Sequence, residues 1–147
     1  MFLTKDELKS ATVIEVVNIV INSDDTIVET IIEEGIDEMK SYLSGRFDVE
    51  TIFSQVAPSG SDPDPRSQVV LKHLKKIVVD EIYRRKTGEI NDSTAKGYNE
   101  AMLWLEKVAA GKINAEGLPP KPVADGEAGS GDGFIKYGGN TQYTSDY

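Results

Sequence analysis

The chain has 147 residues, of which 39% are hydrophobic and 28% charged, and its net charge is −9. That is the length of one domain with a modest core, and no apolar run approaches the ~18 residues that span a bilayer, so a membrane partner is not expected. With no cysteine, disulfides, thiolate nucleophiles and cysteine-based zinc sites are excluded, which fits a cytoplasmic setting.

Met1-Phe-Leu-Thr-Lys-Asp6 lacks a basic region followed by an apolar stretch, so no secretory signal is expected. Thr4-Lys-Asp-Glu7 reads as a capping box that opens a short helix from about Lys5 to Lys9. The run Val13 to Ile21 is β-branched, yet Val13, Val16, Val17 and Val20 mark one helical face, and a short helix is the preferred reading. Ser23-Asp24-Asp25 supplies an N-cap and first-turn acids. Ile27, Val28, Ile31, Ile32, Met39, Tyr42 and Leu43 then recur at helical spacing, with Glu29, Glu33, Glu34, Asp37 and Glu38 opposite them. This long amphipathic helix stops near Ser44-Gly45. Gly35 lies inside it at a cost of about 1 kcal/mol relative to alanine, which a close helix crossing would explain.

Pro58-Ser-Gly-Ser-Asp-Pro-Asp-Pro65 reads as a loop. A third strong helix is expected from about Arg66 to Lys86, with Val70, Leu71, Leu74, Ile77, Val78, Ile82 and Tyr83 inward. Lys72, Lys75, Lys76, Arg84, Arg85 and Lys86 make it basic, and Thr87-Gly88 ends it. Asn91 or Asp92 opens a last helix that buries Tyr98, Ala101, Met102, Leu105 and Val108 and closes at Gly111. Tyr42, Phe47, Tyr98 and Trp104 read as core or groove residues, with Trp104, the sole tryptophan, leaning outward. The expected architecture is an all-α bundle of about four to five helices over residues 1–113. Residues 114–147 carry seven glycines and too few aliphatics to offset ordering entropy. Their aromatics Phe134, Tyr137, Tyr143 and Tyr147 suit either an arm that docks on another subunit or a purely solvating tail.

The charge is unevenly distributed. Residues 1–65 hold four basic against fourteen acidic residues, a net of −10, and residues 66–113 hold ten against six, a net of +4. An acidic face and a basic face can pair between subunits, although exposed charge is also the ordinary state of a helix surface. The pairing expectation places Glu33, Glu34, Asp37 and Glu38 of one copy against Lys72, Lys75, Lys76 and Arg84 of another.

Reaction chemistry finds little support. His73, the only histidine, has no nucleophile in evident context and reads as a packing or helix-surface residue. Asn22, Asp24, Thr26 and Glu33 fall at calcium-loop positions, but Ile27 occupies the glycine position. Asp62-Pro-Asp64 reads as a stiffened loop. Gly129-Ser-Gly-Asp-Gly133 has neither the preceding strand nor the following helix of a phosphate cradle. Glu33 and Glu34, like Asp37 and Glu38, are sequence neighbours that do not face each other on a helix. The expectation is a non-enzyme with no cofactor and no metal. The basic helix could approach phosphates without base readout, so nonspecific DNA proximity stays open.

Four segments, in order, carry a resemblance: Phe2-Leu-Thr-Lys-Asp-Glu-Leu8, Tyr42-Leu-Ser-Gly-Arg-Phe47, Ile77-Val-Val-Asp-Glu-Ile-Tyr-Arg-Arg85 and Tyr98-Asn-Glu-Ala-Met-Leu-Trp-Leu-Glu-Lys-Val-Ala-Ala-Gly-Lys-Ile113. Over residues 2–113 the chain resembles the small helical head–tail connector (adaptor or head-completion) proteins of tailed phages, in the Mu-like prophage branch. The resemblance implies an all-α ring protomer between the portal protein and a tail-proximal neck protein, assembled in the host cytoplasm and resident in the virion neck. It implies no catalytic residues. The glycine-rich tail departs from that family's usual look. The runner-up is a small helical protein-binding module.

Overall fold

A computed structural model of the chain describes residues 1–10 and 14–122. Its helices are α1 (Lys5–Leu8), α2 (Ile14–Ile21), α3 (Asp25–Leu43), α4 (Val49–Phe53), α5 (Gln68–Thr87) and α6 (Asp92–Ala109). The all-α reading holds, and α4 is the element that the sequence pattern did not announce. Phe134, Tyr137, Tyr143, Tyr147 and the Gly129–Gly133 run lie outside the described residues.

Each helix begins where its capping chemistry permits. Glu7 Oε2 accepts from the Thr4 amide at 3.0 Å and from the Thr4 hydroxyl at 2.9 Å, closing the capping box on α1. Asp24, rather than Ser23, caps α3 by accepting from the Thr26 amide at 2.8 Å. Ser23 instead donates to the Ile19 carbonyl at 2.6 Å and is buried. Asp48 accepts from the Thr51 amide at 3.2 Å and from the Thr51 hydroxyl at 2.6 Å, which starts α4. Asn91 Oδ1 takes the amides of Ser93 and Thr94 at 3.0 and 3.1 Å. These side chains satisfy amides that have no partner inside the helix. Gly88 ends α5 in the left-handed conformation, at φ 71°, where a side chain would be strained.

α5 is the central element and packs against α2, α3 and α6. Val70, Leu71, Leu74, Ile77, Val78, Val79 and Ile82 are all buried on it. From α3 come Val28, Ile31, Ile32, Met39 and Leu43, and from α6 Ala101, Leu105 and Val108. Ile27 is a correction: it is 42% exposed, because it belongs to the first turn of α3 at the edge of the stripe. A Cβ on Gly35 would sit 3.0 Å from Leu74 Cδ1 and 3.2 Å from Val78 Cγ2. The missing side chain therefore sets how closely α3 approaches α5.

Two tethers lie outside the helix pattern. Arg66 precedes α5, and its residue is 5% exposed. Its Nε and Nη2 donate to Asp64 at 2.8 and 2.7 Å, and its Nη2 and Nη1 donate to Glu7 at 2.7 and 3.1 Å. Nη1 also donates to the Phe2 carbonyl at 2.6 Å, so every N–H of the guanidinium has an acceptor. Burial pushes the Glu7 carboxyl up, but hydrogen bonds from Arg66 and Thr4 outweigh it and leave it below its usual range. The Arg66 hydrogen bonds hold Asp64 well below the carboxylate range. The expected stiffened loop is thus clamped to α1 through Asp64.

The second tether follows α6. The chain does not leave the body at Ile113: Ala115 and Leu118 pack on the core, and Phe47 forms an antiparallel bridge with Pro120. Asp48 N donates to the Pro119 carbonyl at 3.0 Å and Lys121 N to the Arg46 carbonyl at 3.2 Å. The Arg46 guanidinium donates at 2.7 Å to the Val108 carbonyl at the end of α6. A short strand-like pairing orders residues 114–122 where their composition promised little burial.

Arg66→Met should cost about 3–5 kcal/mol, because it leaves two neighbouring carboxylates without their cation. Arg66→Lys should fail to restore it, since an ammonium cannot reproduce the two-carboxylate fork; urea unfolding measures both. Gly35→Leu should destabilise by about 1–3 kcal/mol through overpacking at the α3–α5 crossing. An equal midpoint for wild type and Gly35→Leu would contradict the close approach.

Candidate interaction surface

The pairing residues expected from the sequence separate into two groups. Glu34, though exposed, is engaged within the protomer: it accepts from Arg85 Nη2 at 2.6 Å across the α3–α5 crossing. Arg84 Nε meets Asp80 Oδ2 at 2.7 Å, and the buried Asp80 also accepts from the Thr94 hydroxyl at 3.1 Å. Glu38 accepts a long hydrogen bond of 3.4 Å from the Tyr98 hydroxyl. Glu34, Glu38, Asp80, Arg84 and Tyr98 therefore line one cleft between α3, α5 and α6. These side chains are engaged within the protomer.

The other group faces outward. Glu33 and Asp37 are exposed and form no ion pair among the described residues. Glu29 is exposed beside them on the same face. At four-residue spacing, the three carboxylates make a ridge that rises about 6 Å per step.

Lys72 is exposed on α5, and Lys75 and Lys76 are half-buried beside it, with the Lys76 stem against Gly97 of α6. With Lys96 of α6 they line a groove of about 760 Å³, whose apolar lining comes from Leu71 and Val79. Lys76 is tied to Glu100 at 2.7 Å. Lys72, Lys75 and Lys96 have no ion-pair partner among the described residues. Lys96 and Glu29 were absent from the expected interface; the four-residue spacing of Glu29, Glu33 and Asp37 was the readable signal, whereas Lys96 joins only through the α5–α6 packing.

His73 is buried and stacks on Trp104, with ring centroids 4.5 Å apart and planes 18° apart. Its Nδ1 has no hydrogen-bond partner among the described residues, and the buried stack on Trp104 makes it a packing residue. Trp104 is half-buried, as its expected outward lean required. Burial pushes the imidazole down to about 4, and Lys76 and Lys72 push the same way against Glu100.

The folded state therefore binds fewer protons than the unfolded chain between about pH 4 and 6.5. Stability should be full above that window and fall as pH drops through it, by up to about 1.4 kcal/mol per pH unit. His73→Phe keeps the stack on Trp104 and should flatten that slope, measured by urea unfolding at several pH values. An unchanged slope would show that His73 is not its source.

A family model described as bacteriophage Mu, Gp36 matches residues 2–130. No curated protein and no solved structure matches the chain. The family match runs through the helical body and past the strap at 114–122, which is well over half of the sequence. The chain is a Mu-like phage protein and belongs to the bacteriophage Mu Gp36 family.

Proposed function

We propose that this protein is a non-enzymatic structural protomer of the phage neck. It works as a head–tail connector that forms a ring between the portal protein and a tail-proximal neck protein. Assembly takes place in the host cytoplasm, and the finished ring resides in the virion neck. The observation that carries this reading is the grouping of four lysines in one groove of a protein whose net charge is −9. A basic groove on an acidic protein favours an acidic protein partner, and other copies of this chain supply one. The family match places the chain among Mu-like phage proteins, where repeated subunits are the ordinary means of building a particle.

Light scattering after size-exclusion chromatography, with and without the cognate portal protein, tests the reading. The expected result is a discrete closed oligomer, or a monomer that joins the portal in fixed stoichiometry. A chain that stays monomeric and ignores the portal would contradict it and favour a small helical protein-binding module. Salt-sensitive binding to any DNA duplex without self-assembly would turn the reading toward the phosphate backbone.

A further inference from the structure

We propose that the lysine groove of one protomer receives the Glu29–Glu33–Asp37 ridge of the next copy. This contact rests on the assembly reading above and names its interface. The ridge and the groove cannot meet within one chain. Gly35 turns the buried face of α3 toward Leu74 and Val78, so Glu29, Glu33 and Asp37 point away from α5. The groove opens elsewhere on α5, beside α6. Two complementary surfaces on different faces of one protomer make a head-to-tail contact, which closes into a ring when the rotation between copies permits.

The chemistry of the two faces matches. Three carboxylates at four-residue spacing repel one another along α3 in the free protomer, and cations placed opposite relieve that repulsion. Lys72, Lys75 and Lys96 are the groove cations that form no ion pair among the described residues, and Glu100, the groove's one carboxylate, is bonded to Lys76. Leu71 and Val79 give the groove an apolar lining against which lysine stems and a helix edge can pack. Glu34, Lys76 and Arg84 are excluded from the contact because Arg85, Glu100 and Asp80 already hold them. The interface is therefore narrower than a general pairing of acidic and basic helices.

The test uses the full chain in analytical ultracentrifugation, alone and with portal protein. One variant carries Lys72→Glu and Lys75→Glu, and a second carries Glu33→Lys and Asp37→Lys. Each alone places like charges at both faces, and copy–copy association should weaken at least tenfold. An equimolar mixture of the two restores opposite charges at every contact and should recover assembly. So should one chain bearing all four substitutions, which also shows that the altered surfaces still fold. A single double variant that assembles like wild type, or a mixture and quadruple variant that both fail, would overturn the ridge-in-groove contact. If portal binding persists in that case, the connector reading stands with a different interface; if it is lost in the wild type too, both fall.

Discussion

α5 is enclosed by three helices over its middle turns, from Val70 to Ile82, and that constraint governs the rest of the molecule. Helices α2, α3 and α6 take its apolar surface, and even Asp80 and His73 are drawn inside. Along those middle turns little surface is left for charge, and Lys72, Lys75 and Lys76 share it beside α6. Core packing thus gathers cations that a more exposed helix would spread around its surface. The proposed docking groove is a consequence of how the core closes.

Ends and loops hold that core in register. Arg66 joins Phe2, Glu7 and Asp64 in one saturated cluster just before α5 begins. It fixes α1 and the proline-rich loop to the entrance of the central helix. At the other end, Arg46 caps α6 through the Val108 carbonyl, while the 114–122 strap pairs beside it. A buried cation with every donor satisfied adds geometric definition that apolar contacts alone do not supply. Gly35 gives definition by absence: without a Cβ, α3 sits close enough to α5 for Arg85 to reach Glu34.

Much of this fold was legible because it is periodic. The stripes of α3, α5 and α6, the stop at Gly88 and the close crossing at Gly35 follow from residue spacing, while the caps were legible only to within a residue, at Ser23 or Asp24 and at Asn91 or Asp92. What escaped was non-local or short. Arg66 looked like the first residue of a basic helix, because nothing local links it to Glu7, 59 positions away. Helix α4 has only five residues, too few to display a period; its one signal was Asp48 three residues before Thr51. The strap stayed hidden because backbone pairing, which is nearly independent of side-chain type, orders it. Charge was legible in sign but not in use. Glu33 and Glu34 look equivalent in sequence and both are exposed, yet only Glu34 meets an arginine.

Amine footprinting of assembled and dissociated protein would test the central claim most directly. Lys72, Lys75 and Lys96 should lose reactivity on assembly, while the exposed Lys107, in the last turn of α6, and Lys112, just beyond it, keep theirs. Protection confined to the groove is the result predicted by a core that concentrates lysines for a neighbouring copy. Equal reactivity of all five lysines in both states would contradict it.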